Sequence, residues 1–270
     1  PRLFHYADTV AMIGTDANGE TIVRYQNVDA IRVHSARSAF WYKIKQTKEG
    51  PEKRPCHTPL PVAKGILAQP PNSLPPLNRL ITAPIVAPSG RIVGAEGYDE
   101  ETRSYFVQGG LEVPAVSEKP DERQVQEARD LLMKDLLVDF PFENDDGEFY
   151  ECSDRANCLG MLILPFAREL IPGPTPLHLI GKSTPGSGAS LLFQAMGRMV
   201  KGADPAIITE ASNEDEWRKT ITTALLMAPE IVAIDNLRRR LDSAALAGAL
   251  TAAVWNARIL GGSIMARCPV

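Results

Sequence analysis

No stretch of this sequence approaches the roughly 20 consecutive apolar residues that a membrane-spanning helix needs. The longest runs, such as residues 159–164, are far shorter, and the basic-then-apolar opening of an export signal is missing. These absences point away from a membrane and toward a cytoplasmic setting. Cysteine is scarce. Cys56, Cys152, Cys158 and Cys268 form no close CxxC pair, which argues against structural zinc and dithiol redox chemistry and predicts reduced thiols. His5, His34, His57 and His178 show neither metal-ligand spacing nor a partner nucleophile, so no serine–histidine–acid or cysteine–histidine arrangement can be assembled. Neither sign of charge dominates: the net charge is −4, with 44% hydrophobic and 23% charged residues. That balance belongs to a globular chain rather than a disordered or fibrous one.

What is present is enough sequence for two domains. The chain has 270 residues, and one hydrophobic core typically serves about 100–200. Charge is unevenly distributed: residues 1–79 carry 11 Lys and Arg against 6 Asp and Glu, and the remainder carries 18 against 27. The basic N-terminal part is therefore the better candidate for a polyanionic partner. The chain opens on Pro1 and ends at Val270 in what reads as mid-domain, as expected of a piece of a longer polypeptide.

Residues 1–118 read as a mixed, strand-rich domain. Apolar runs at 9–13 and 21–25 flank the turn signal Asn18–Gly19, a hairpin pattern. A helix is expected over 28–38, a strand over 40–44 and a helix over 62–67, followed by hairpin pieces at 81–86 and 91–93 joined through Pro88, Ser89 and Gly90. Residues 119–173 read as a helical linker region. Val125, Ala128, Leu131, Leu132 and Leu136 recur at helical intervals over 123–139, residues 143–148 form an acidic loop, and a second helix spans 154–170 with Pro165 as a kink or break. From 174 to 270, predicted strands at 177–180, 206–209 and 231–234 alternate with helices at 190–200, 213–227 and 243–260. Such alternation predicts an α/β fold with a parallel sheet.

Between the strand at 177–180 and its helix lies Ser183–Thr184–Pro185–Gly186–Ser187–Gly188–Ala189–Ser190. Its glycines let the backbone curl so that amides point at phosphate oxygens, and the following helix start adds a favourable dipole. In P-loop spacing, Gly186, Ser187, Gly188, Ala189, Ser190 and Leu191 would bind the phosphates of ATP, with Ser190 as a Mg²⁺ ligand. Lysine is missing, because Ala189 occupies the position whose ammonium would reach the β- and γ-phosphates. Lys182 lies in a Gly–Lys–Ser triplet, but Pro185 and Gly186 follow too closely for a helix to begin there, so that triplet reads as a decoy. The apolar run at 231–234 ends in Asp235 and Asn236. Asp235 would hold the Mg²⁺ hydration shell, and Asn236 stands where many ATPases carry the residue that orients the attacking water. A glycine-serine turn followed by an ordinary strand-ending turn is the plainer account of both motifs.

With these motifs in place, the C-terminal half resembles a family of phage and mobile-element P-loop ATPases, helicase-like and primase-associated ATP-binding proteins. The likeness is carried by Asp154–Arg155–Ala156, residues 174–180, the loop 184–188, Glu216–Trp217–Arg218–Lys219, Asp235–Asn236, residues 241–243 and 250–251, Trp255 and residues 258–261. Residues 83–90 and Gly97–Tyr98–Asp99 are similar to the segment that precedes the ATPase core. The resemblance implies a P-loop NTPase core of the AAA+ or superfamily 3 helicase type, incomplete at its C-terminus. It also implies ATP and Mg²⁺ as cofactors, a homo-oligomer such as a hexamer, and single-stranded or duplex DNA as partner. The family carries lysine at position 189, so this chain is expected to be hydrolysis-deficient, as an engineered variant or a natural pseudo-ATPase. The family's sensor and arginine-bearing segments would lie after Val270.

Two further features point to nucleic acid or to a neighbouring phosphate. Phe40, Trp41, Tyr42, Lys43, Ile44 and Lys45, followed by Lys48, Lys53 and Arg54, combine aromatic faces with cations. Arg238, Arg239 and Arg240 follow the acidic strand end. A solvated basic strand and a solvated turn are the plainer accounts. The sequence thus supports a Mg²⁺-dependent ATPase acting on nucleic acid. The rival from another class is a nucleotide-sensing regulatory or defence-related assembly protein, and a third possibility is an inert structural module with a relic loop.

Overall fold

The protein is described from a computed structural model, which describes residues 2–17, 19–108, 117, 119–142, 152–182, 184, 186–258 and 265–270. Asn18 of the predicted hairpin turn, the acidic loop at 143–148, Ser183 and Pro185 of the glycine-rich loop, and residues 259–261 lie outside the described residues. The chain divides into two compact units, one of Pro1–Asn78 with Asn256–Cys268 and one of Arg79–Trp255 with Pro269–Val270.

In the first unit, β1 (Leu3–Tyr6), β2 (Thr9–Thr15) and β3 (Thr21–Tyr25) form an antiparallel meander, with Ala11 opposite Tyr25 and Thr15 opposite Thr21. Helix α1 (Val28–Ser38) starts where the Asn27 side chain accepts the Ala30 N–H at 2.8 Å, satisfying one of the donors left over at a helix start. A hairpin of β4 (Tyr42–Thr47) and β5 (Gly50–Pro55) follows, then helix α2 (Leu60–Ala68). Val10, Ile31 and Ala63 form the buried centre, with Leu3, Val28, Ile66, Leu67 and Leu74 packed around them.

In the second unit, β6 (Arg79–Ile81) runs parallel to β10 (Ser104–Phe106), which pairs antiparallel with β9 (Gly97–Asp99). Beside them β7 (Ile85–Val86) and β8 (Ile92–Val93) form a short hairpin, and Ile81, Ile85, Ala87, Val93 and Phe106 share one core. Helix α3 (Glu122–Asp130) opens with a reciprocal capping box between Asp121 and Gln124 and continues as a π-helical turn over Leu131–Leu136. Helix α4 (Ser153–Ala167) continues through Pro165, which has no amide hydrogen to give to the preceding turn, and it then tightens into a 3₁₀ turn over Arg168–Leu170.

Helix α5 (Ala189–Lys201), β11 (Ile207–Thr209), α6 (Glu214–Leu226), β12 (Ala233–Asp235) and α7 (Ala244–Thr251) complete the unit. Met133, Leu137, Cys158, Met161, Leu162, Leu192 and Met196 bury one another where α4 and α5 meet the π turn. The chain ends in the two-stranded sheet of β13 (Val254–Arg258) and β14 (Met265–Pro269).

The expected P-loop NTPase core with its parallel sheet is not what this chain forms. The fold is mixed α/β built from small, mostly antiparallel sheets, and the C-terminal parallel pairing is the two-stranded β11–β12 ladder, with Thr209 beside Asp235. Residues 177–180 form no strand. A strand exists only when a neighbouring backbone takes up its amides and carbonyls. Among the described residues no strand pairs with this segment, and Leu177 and Leu179 are 44% and 72% exposed. The helix expected over 243–260 is also shorter. It ends at Thr251, and residues 254–258 then alternate between exposed and buried, the two-residue period of a strand, with Trp255 and Ala257 inside.

Candidate functional site

The glycine-rich turn forms an open depression of about 210 Å³ lined by Lys182, Gly186, Ser187, Gly188, Ala189, Ser190 and Leu191. Two positions make this shape possible. Gly186 and Gly188 both have φ of 86°, the left-handed region where a Cβ is disfavoured. A side chain on Gly188 would also press on the Phe140 ring at 3.3 Å. Helix α5 begins directly after Gly188 with no side chain capping it, and the Leu192 N–H donates to the Gly188 carbonyl at 2.9 Å. The amides of its first turn therefore face the depression, an arrangement suited to an anion.

The ammonium-bearing residue at this depression is Lys182, read as a decoy from the sequence. The objection was that no helix could start beside it. The helix starts at Ala189, yet the chain curls so that Lys182 and Ser190 line the same hollow. No sequence signal distinguishes this, because the approach depends on the path of the loop between them.

Asp235 and Asn236 do not line that depression. They stand at the end of β12, where the Asn236 N–H donates to Asp235 Oδ1 at 2.6 Å and Asn236 adopts a left-handed φ of 61°. Because β11 and β12 run parallel in register, Glu210 follows Thr209 to the same end. Glu210 accepts the Arg238 N–H at 2.9 Å and Arg239 Nε at 2.8 Å, and Arg239 also donates to the Ala211 and Ser212 carbonyls. The Arg238 amide, opposed by desolvation and aided by the Arg239 guanidinium, holds the Glu210 carboxyl below the usual carboxylate range. Arg238 and Arg239 thus tie together the loops after β11 and β12. Glu210 is not among the site residues expected from the sequence, although it directly follows the strand run Ile207–Ile208–Thr209 as Asp235 follows Val232–Ala233–Ile234.

Of the two expected Mg²⁺ ligands, Ser190 lines the depression and Asp235 ends β12; among the described residues no three His, Cys, Asp or Glu side chains cluster to hold an ion. The four cysteines are free thiols, and burial pushes Cys158 up to about 11, which keeps it protonated and unreactive near neutral pH.

Several residues that carry the sequence resemblance do packing work. Trp217 and Trp255 are buried, Trp255 Nε1 donates to Thr222 Oγ1 at 3.0 Å, and the Arg218 guanidinium lies 5.8 Å over the Trp255 ring. Trp255→Phe removes that donor and is expected to lower stability by about 1 kcal/mol, read as a drop in melting temperature. Asp99 accepts both the N–H and the hydroxyl of Thr102 at 2.9 Å and pairs with Arg91, which also reaches Glu101. Among the described residues, no helix is long and apolar enough to cross a membrane. Comparison with family models, curated proteins and solved structures finds no match to this chain.

Proposed function

We propose that this chain binds the phosphates of ATP at the turn of Gly186, Ser187, Gly188, Ala189, Ser190 and Leu191, and that it belongs to a Mg²⁺-dependent ATPase acting on nucleic acid. The observation that carries the reading is the depression itself: two left-handed glycines, an uncapped helix start and Lys182 around one hollow. Backbone amides hold an anion without supplying full charge, and Lys182 is the cation among the lining residues. With Ala189 at the helix start in place of a second cation, binding is weak and the charge that develops during phosphoryl transfer is poorly stabilised.

The test is titration of a fluorescent ATP analogue with Mg²⁺. Ala189→Lys is expected to tighten binding by at least about tenfold, the scale of one charge-assisted contact. Absence of binding by the Ala189→Lys protein would reject the reading. The second reading, a nucleotide-sensing assembly protein, draws on the exposed apolar side chains Leu177, Leu179, Leu191, Ile207 and Val232, since uncovered apolar surface favours association. Sedimentation with and without nucleotide separates the two: nucleotide-dependent assembly indifferent to DNA belongs to the second.

A further inference from the structure

The β4–β5 hairpin stands apart from the core of its own unit. Every residue of β4 is exposed, as is every residue of β5 except the half-buried Gly50 at the turn. A two-stranded hairpin with no packed face is marginal alone, and here its root is fastened to α1. Trp41 Nε1 donates to the Ser35 carbonyl at 3.0 Å, Cys56 N–H donates to the Trp41 carbonyl at 2.9 Å, and Arg32 and Thr58 exchange hydrogen bonds at 3.1 and 3.2 Å. The result is an arm about 20 Å long, from six residues at about 3.3 Å each, held firmly at its base and open on both sides.

The register sorts its side chains. Ile44 lies opposite Lys53 and Tyr42 opposite Pro55, so Tyr42, Ile44 and Lys53 share one face, where Lys53 Nζ sits 4.7 Å from the centre of the Tyr42 ring. Lys43 lies opposite Arg54 and Lys45 opposite Glu52 on the other face, where Arg54 pairs with Glu52. Among the described residues no carboxylate bridges Lys43 or Lys45. Over residues 40–57 five cations face two carboxylates. Phe40 at the base is fully exposed, Tyr42 is 50% exposed and Ile44 63% exposed.

We infer that this arm binds single-stranded nucleic acid, with bases stacked on Phe40 and Tyr42 and phosphates neutralised by Lys43, Lys45, Lys53 and Arg54. The inference rests on the nucleic-acid half of the function proposed above and not on the nucleotide site. Three properties choose the occupant. The positive charge on both faces complements a phosphate backbone. Exposed aromatic faces suit bases that are unstacked, which a duplex does not offer. Addition of a further protein strand is disfavoured, because Pro51 and Pro55 remove amide donors from β5 and lysines crowd the edges.

The experiment is fluorescence anisotropy of labelled oligo(dT), without ATP, across a range of salt concentrations. Lys43→Ala with Arg54→Ala is expected to weaken binding and to flatten the dependence of log K on log salt by about 1.4, since each single-strand phosphate contact contributes about 0.7. Phe40→Ala with Tyr42→Ala is expected to weaken binding at least tenfold with the salt slope unchanged, the signature of lost stacking. Because these side chains pack against no core, both variants should melt with the wild-type protein. Wild-type affinity in both variants overturns the inference and leaves the nucleic-acid reading standing. No oligonucleotide binding by the wild-type protein rejects both, while the ATP titration of Ala189→Lys still decides the nucleotide site. Equal binding of duplex and single strand, indifferent to the aromatic variant, also overturns it.

Discussion

Replacing Gly197 by alanine is expected to destabilise the Arg79–Trp255 unit by about 3 kcal/mol, at the upper end for forcing a group into a filled core. In an open helix the same change would stabilise by about 1 kcal/mol, because alanine is the better helix former. The surroundings decide the sign. Gly197 is buried midway along α5, and a Cβ built there meets the ring of Pro205 and stands 2.7 Å from its backbone nitrogen. A flexible side chain could swing away, but a proline ring and a main-chain atom cannot. The helix ends at Gly202, and the chain turns back through Asp204 and Pro205 to enter β11, so a shift of Pro205 carries the strand with it. For a unit of this size the loss corresponds to a melting temperature lower by roughly 10 °C. A Gly197→Ala protein that melts at or above the wild-type temperature would show that helix propensity outweighs the contact.

Stability of the same unit should fall as pH rises from about 4.5 to about 7, by about 3 kcal/mol in all. Burial pushes the Glu230 carboxyl from 4.5 up to about 7, against the lowering influence of the Thr82 amide and of the Arg79 and Lys201 charges. The Thr82 hydroxyl also lowers it, lying 3.2 and 3.3 Å from the Glu230 oxygens, but its single proton is shared with the Val200 carbonyl at 3.0 Å, so burial prevails.

Below pH 4.5 the carboxyl is protonated in the folded and unfolded chains alike, and its contribution is fully present. Between about 4.5 and 7 the unfolded chain releases the proton and the folded one keeps it, so stability declines; above about 7 the loss is complete. A raised pKa of this size corresponds to about 3 kcal/mol. Glu230→Gln keeps the shape and can donate to Thr82 without titrating. Its melting temperature should stay nearly flat from pH 5 to 8 where the wild-type value falls, and parallel profiles would contradict the assignment.

Local chemistry was readable wherever the deciding partner lies within a few residues. Strand Thr21–Tyr25 and helix Val28–Ser38 occur over the residues expected, the helix because Asn27 caps Ala30 three residues on. Helix α6 likewise starts where Asn213 accepts the Glu216 amide. The Gly186–Gly188 turn was legible for the same reason, since a left-handed backbone is a property of the residue itself. Elements that depend on remote partners were not. Residues 177–180 have the apolar composition of a strand, but composition cannot supply a neighbouring backbone to bond with. Trp255 was read into a helix although its place is set by Thr222 and Arg218, more than thirty residues away in sequence.

The candidate site divides along the same line. The amino-acid sequence by itself determined the glycines that let the turn curl, the absence of lysine at position 189 and the carboxylate that ends β12. Tertiary structure decided that Lys182 lines the depression, that Asp235 shares a strand end with Glu210, and that the Tyr42–Pro55 hairpin stands open on both faces. The physical reason is range. Backbone preference and capping act over one turn of chain, whereas the gathering of side chains around a hollow, or the leaving of a strand uncovered, depends on where distant segments pack.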